Sequence, residues 1–184
     1  MNDRMTRPRK NHSMYTLHEV VQRQDHKCPI CGKLVDLWGV RGVDWTVEHI
    51  IPYAVFKWVE FNLVFDVDAN ELWELINSTD NLAITHEECN TDKACKIYSE
   101  DDIRKLHLPD SIRELYIKHL RKLEPYIFRY NKVLDYAWTG QGGGCAGCRC
   151  RLDKKDAIIR RMNDRTARTM SNAMVICAKC NEIM

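Results

Sequence analysis

The 184-residue chain contains no run of apolar residues approaching the roughly 18 needed to cross a bilayer. No membrane association is therefore expected. Its first residues, Met1 to Lys10, are polar and basic and lack the apolar core of a secretory signal. Compositional extremes are missing too. With 45% hydrophobic and 29% charged residues, the chain falls outside the disordered, collagen-like and coiled-coil classes. These absences lead to the expectation of a folded, cytoplasmic protein of one domain or two small ones.

Cysteine, by contrast, is abundant. Nine cysteines in a chain expected to meet a reducing environment read as metal ligands rather than disulfides. The net charge of +2 conceals an asymmetry. Residues 1–13 carry four Arg or Lys against one Asp, and residues 55–92 carry nine acids against Lys57 alone. Residues 103–140 come to +4 and residues 141–184 to +5. A basic arm and a basic carboxy-terminal half suit a polyanion such as nucleic acid, although charge alone fits solvated faces equally well.

Residues 1–13 have few apolar side chains and read as a loose arm. A short helix is expected from Tyr15 to about Gln24, a turn at Cys28-Pro-Ile-Cys31-Gly32 and a strand over 43–48. Residues 53–76 are ambiguous, except that Asp68 to Glu71 can open a short helix. Leu82 to Thr85 reads as a strand and Asn90 to about Tyr98 as a helix. Ser99 with Asp102, and Ser111 with Glu114, resemble capping pairs. Apolar residues then recur at helical spacing to residue 137, with Pro125 expected to kink or split the segment. Gly140 to Gly144 reads as a flexible joint and a domain boundary.

Two ligand pairs of equal spacing stand out: Cys28-x2-Cys31 and His86-x2-Cys89. Four soft or borderline ligands on two turns match a closed tetrahedral zinc, which ties distant turns together where the core is small. Buried cysteines beside a surface histidine are the plainer alternative, weakened by the repeat of the spacing. Between and around these pairs lie Glu48-His49, Pro52, Asn81-Leu82, Asn90 and Lys93.

In this order the residues resemble the HNH endonucleases, the zinc-bearing branch of the ββα-metal nucleases, over residues 26–97 of the 184. The resemblance implies an α+β fold in which a two-stranded ribbon presents Glu48 and His49 to a helix beginning near Asn90. It implies that Glu48 and Asn90 bind one catalytic Mg²⁺ or Mn²⁺, that His49 deprotonates the attacking water, and that Asn81 orients His49. Cleavage would leave 5′-phosphate and 3′-hydroxyl ends. The chemistry is consistent: oxygen ligands suit a hard cation, and a neutral histidine is a suitable base near pH 7. Lys93 could contact a phosphate, or be a solvated helix lysine. The chain departs from the family in having Glu48 where aspartate is commoner, Asn90 where histidine is frequent, His86 in place of a cysteine, and a long acidic insert between Tyr53 and Asn81.

A second set, Cys145-x2-Cys148 with Cys177-x2-Cys180, repeats the zinc logic with four thiolates. Cys150 could substitute for Cys148, but the spacing favours Cys148, which leaves Cys95 and Cys150 over as free thiols. Asn81 to Asn90 aligns with Asn172 to Asn181, so the two halves read as an internal repeat. The stretch Ala157 to Met162 falls where the Glu-His strand would be, but reads Ile159-Arg160-Arg161. A cation there cannot hold Mg²⁺ but can bind phosphate. The second module is therefore expected to be a degenerate, treble-clef-like copy serving DNA binding or dimerisation, with a purely structural zinc knob as the alternative.

The expected organisation is a basic arm (1–13), an HNH nuclease domain (14–98), a helical connector (99–140) and a second zinc module (141–184). The expected cofactors are two structural Zn²⁺ and one catalytic Mg²⁺ or Mn²⁺. The expected function is DNA cleavage in restriction, anti-phage defence or phage DNA processing, with a homodimer plausible. Two alternatives remain: a non-catalytic zinc module binding DNA or a protein, and a nuclease subunit activated by a protein partner docked on the acidic 55–92 segment.

Overall fold

In the computed structural model the described residues are 10–60, 68–93, 96–166 and 168–183. Most of the expected arm, part of the acidic insert (61–67) and Cys95 lie outside them. The fold is α+β, with helices and two separate two-stranded antiparallel sheets. The chain divides into two compact units. One comprises Met1–Tyr53, Trp73–Lys93 and Ile97–Lys122, the other Ala54–Leu72, Ala94–Lys96 and Leu123–Met184.

In the first unit, helix α1 (Met14–Arg23) starts at Ser13, whose side chain accepts the Thr16 N–H. Leu17, Val20 and Val21 recur at helical spacing and are buried against Cys28, Val35, Trp45, Leu82 and Ile84. Each buried aliphatic side chain contributes roughly 1.5–3 kcal/mol. Strand β1 (Thr46–His49) pairs with β2 (Leu82–Thr85), placing Glu48 opposite Ala83 and His49 opposite Leu82. The expected strand over 43–48 thus begins later, because Val40 and Gly42 turn the chain: Val43 and Asp44 both donate to the Val40 carbonyl, and Gly42 has φ +84°.

Residues 53–76 resolve into α2 (Tyr53–Glu60) and α3 (Ala69–Ile76). Asp68 accepts the Asn70 and Glu71 N–H groups at the start of α3, as the sequence suggested. Helix α4 spans Glu87–Lys93 rather than starting at Asn90. Its first turn carries Glu87 and Glu88, which favour a helix N-terminus, and Asn90 N–H closes onto the His86 carbonyl.

Helix α5 (Glu100–Arg104) opens with the expected Ser99–Asp102 capping box. Helix α6 (Asp110–Gly140) is one 31-residue element with Pro125 inside it, so the expected split does not occur. It also starts ahead of Ser111, with Pro109 just before its first residue, where proline is tolerated. An interior proline costs about 3 kcal/mol. Burial of Tyr116, Ile117 and Leu123 before it, and of Tyr126, Tyr130 and Val133 after it, offsets that cost.

The second unit contains β3 (Ile158–Arg161), β4 (Ala173–Ile176) and α7 (Ala178–Ile183). Ile158, Ile176 and Cys145 form its small sheet-side core, with Met174, Cys177 and Cys180 packed on it. So small an apolar cluster is the situation in which a metal commonly supplies folding energy.

The two sheets share a set of hydrogen bonds. Gln24 donates to the Ile84 carbonyl and accepts the Ile84 N–H; Gln141 does the same to Val175. Cys28 N–H donates to Lys33 O and Cys145 N–H to Cys150 O. Gly32 (φ +73°) and Arg149 (φ +61°) take the same left-handed position and donate to the Cys28 and Cys145 carbonyls. Val47 faces Ile84 as Ile159 faces Val175. Asn81 and Asn172 each end a short 3₁₀ turn immediately before the second strand. The internal repeat visible in the sequence is thus a repeat of hydrogen bonding as well.

Candidate metal centres and the Glu48–His49 ribbon

The turn after α1 and the start of α4 bring Cys28, Cys31, His86 and Cys89 together, with their ligand atoms all within 4.8 Å of one another. His86 is oriented by its surroundings. Its Nε2 lies 3.0 Å from the Leu34 carbonyl, which requires a donor, so Nδ1 presents its lone pair toward Cys31 Sγ at 3.3 Å. Burial opposes ionisation of Cys31, but the Lys33 N–H and the contacts with His86, Cys28 and Cys89 outweigh it and bring the thiol down to about 7. Cys89 moves the other way: burial, then charge on Cys28, push it up to about 12. These ligands cannot all ionise against one another, and a divalent cation removes that conflict.

The second cluster comprises Cys145, Cys148, Cys150 and Cys177, again with ligand atoms within 4.8 Å. Cys177 Sγ lies 3.7 Å from both Cys145 and Cys148 sulfurs. Cys180, which follows Cys177 as Cys89 follows His86, is also adjacent. A Cβ placed on Gly147 would fall 2.8 Å from Cys180 Sγ and 3.8 Å from Cys145 Sγ. Contact with the Cys148 thiol is the first cause that pushes Cys180 up to about 12. Cys150, expected to be left over once Cys148 is preferred, instead joins Cys148 in the cluster, so that with Cys180 five thiols gather there. Both clusters are able to coordinate a zinc-like ion.

The Glu48–His49 pair lies at the end of β1, and each residue is only 7% exposed. Successive strand residues alternate in direction. The Glu48 carboxylate pairs with the Lys93 ammonium, at the last residue of α4, while the His49 ring lies 6.0 Å from that of Tyr53. Lys93 Nζ also donates to the His49 carbonyl at 2.9 Å and sits 5.0 Å from the centre of the Tyr98 ring. Burial, then the charge of Glu48, raise the Tyr98 phenol above its ordinary range. Lys93, expected to touch phosphate, is thus buried and ties α4 to β1.

Asn81 is fully buried, and its amide is engaged with backbone. It accepts the Ile51 N–H at 2.8 Å and donates to the carbonyls of Ile51 (3.0 Å) and Ile76 (2.8 Å). Asn172 makes the corresponding bonds, accepting the Asn163 N–H at 2.9 Å and donating to the Asn163 carbonyl at 3.1 Å. Asn90, half-buried on α4, lies three residues before Lys93 and so on the same helix face.

In the second unit, Arg160 and Arg161 stand at the register positions of Glu48 and His49. Arg160 donates to the Asn181 side-chain carbonyl at 3.3 Å, and Asn181 is the counterpart of Asn90. Arg161 pairs with Asp164 at 3.1 Å and donates to the Thr166 carbonyl. Sequence reasoning named these residues but missed the Lys93–Glu48 pair and the two bridging glutamines. A lysine four residues after a ligand cysteine carries no sign that it is buried, and the partners are 45 positions apart.

Among the described residues, no helix is long and apolar enough to cross a membrane. No protein-family model, curated protein or solved structure matches the chain.

Proposed function

We propose that the chain is a metal-dependent DNA endonuclease of the HNH type, with cleavage assigned to residues 14–98 and duplex binding to the basic second module. One observation carries the reading. The second unit builds the same hydrogen-bonded ribbon with Arg160 and Arg161 where the first has Glu48 and His49. The scaffold therefore does not impose an acid and a histidine there, which supports a chemical role for them.

The Glu48 position accepts a cation, since the Lys93 ammonium already stands in for one. Glu48 and Asn90 are the residues that would hold Mg²⁺ or Mn²⁺. Such an ion, when bound, neutralises charge developing on the scissile phosphate and the leaving oxygen. His49 supplies a neutral imidazole that takes a proton from the attacking water. Asn81 fixes the chain immediately after β1 through Ile51, and so holds the strand end that carries His49. The net charge of +5 on residues 141–184 favours a polyanionic substrate.

A second reading, a zinc-stabilised binding module without catalysis, is favoured by the Lys93–Glu48 pair itself, because a carboxylate neutralised by lysine has no need of a metal. Nicking of supercoiled plasmid in Mg²⁺ separates the two. The endonuclease reading expects nicking by the wild type and at least a hundredfold less by His49→Ala at similar DNA affinity. Binding without nicking by both proteins establishes the module reading instead.

A further inference from the structure

We propose that Lys93 is the resident cation of the Glu48 site, and that a divalent ion binds there only by displacing it. The inference rests on the endonuclease reading above and adds a regulatory feature to the same site. Three contacts define the site around Lys93 Nζ: the Glu48 carboxylate, the His49 carbonyl at 2.9 Å and the face of the Tyr98 ring at 5.0 Å. Each favours positive charge, the ring through its quadrupole. The Lys93 side chain is 2% exposed and that of Glu48 9%, so little water competes with these contacts.

A metal ion approaching Glu48 meets a carboxylate whose charge is already balanced. Two cations at one buried carboxylate repel strongly, so occupancy is exclusive. The second unit places a protein cation at the same strand–helix joint by a different route. There Arg160, on the strand, reaches Asn181 on the helix at 3.3 Å. An arginine on the strand cannot leave a carboxylate behind, because there is none. Lys93 can: it terminates α4, and its withdrawal exposes Glu48 beside the helix face that carries Asn90.

The consequence is quantitative. A ligand that needs a minor conformation binds more weakly by the fraction of molecules in that conformation. Minor states of this kind are populated at roughly 0.1–10%. Removing the lysine should therefore tighten metal binding by about tenfold or more.

The test uses the full zinc-loaded chain and Mn²⁺ as probe, with affinity read by electron paramagnetic resonance. Lys93→Met should lower the Mn²⁺ dissociation constant at least about tenfold, and Glu48→Gln should abolish the site. Because Lys93→Met removes the lysine partner of a buried carboxylate and can impair folding, a second measurement uses the wild type. Lysine acylation followed by peptide mass spectrometry should find Lys93 protected without Mn²⁺ and labelled at saturating Mn²⁺, with Lys155, whose side chain is 72% exposed, as the reference. Continued protection of Lys93 at saturation, or an unchanged affinity in folded Lys93→Met, overturns the displacement while leaving the endonuclease reading intact. Failure of the wild type to show any Glu48-dependent Mn²⁺ site overturns both.

Discussion

Replacing Asn81 with alanine tests whether that residue acts on the backbone or on His49. The side chain satisfies one buried N–H and two buried carbonyls, at 2.8, 3.0 and 2.8 Å. Alanine leaves all three without that partner and has no atom to replace it. A buried polar group deprived of its partner costs roughly 1–3 kcal/mol, and carbonyls, with two lone pairs, fall toward the lower end. The expected loss is about 3–5 kcal/mol, a large share of the 5–15 kcal/mol that holds a typical domain folded.

Asn172→Ala provides the internal control. Its bonds to Asn163, at 2.9 and 3.1 Å, are only partly buried, so the loss should be nearer 1–2 kcal/mol. Urea unfolding of the zinc-loaded proteins measures both losses as shifts in midpoint at constant slope. Hydrogen exchange at the Ile51 and Asn163 amides localises them. If Asn81→Ala loses plasmid nicking yet keeps its midpoint within about 0.5 kcal/mol of wild type, bracing of the backbone is refuted and Asn81 acts on the imidazole.

Three further outcomes follow from the geometry. Zinc-loaded protein should contain about two zinc ions per chain. Cys150→Ser and Cys180→Ser should each keep that content, while the double variant should fall to about one; elemental analysis showing a loss in either single variant removes the spare-thiol interpretation. Arg149→Gly should stabilise the second module by about 1 kcal/mol, since Arg149 holds φ +61° where the first module has Gly32, and a lower unfolding midpoint would contradict this. His119 is buried, its Nε2 is spent on the Leu75 carbonyl, and burial lowers its pKa from the ordinary 6.5. The unfolded chain therefore binds the extra proton first, so this contribution is fully present above about pH 6.5 and declines as the pH falls below it. His119→Gln should flatten that part of the stability–pH curve, and an unaltered slope would exclude His119 as its source.

The parts of this fold legible in the sequence are those written locally. Equal Cys/His spacings marked both clusters, Leu82 to Thr85 is the strand its composition suggested, and Ser99 with Asp102 forms the capping box its spacing announced. The parts that escaped are decided at a distance. Pro125 lies within an unbroken helix because burial on either side outweighs a local penalty. Helix α4 begins at Glu87 because the chain winds into it directly after His86, with Cys89 in its first turn. Cys150 and Cys180 both lie beside the other three thiols, with Cys180 close against Gly147, which spacing alone does not reveal.

The Glu48–Lys93 pair is the hardest of these features to attribute to stability. Removing two charges from water costs several kcal/mol each, and replacing such a pair with apolar residues of similar size is often neutral or stabilising. The second unit demonstrates the point within the same chain. Among the described residues it closes the equivalent joint with a half-buried arginine and an amide, without a buried carboxylate. A ribbon and helix of this kind can therefore be joined without an acid. The pair does have one property that an apolar substitute lacks. It keeps a carboxylate buried beside a cation, which the proposed site would exchange for a metal ion. On the proposed endonuclease reading, the ion pair would hold a metal ligand in a balanced state until an ion arrives.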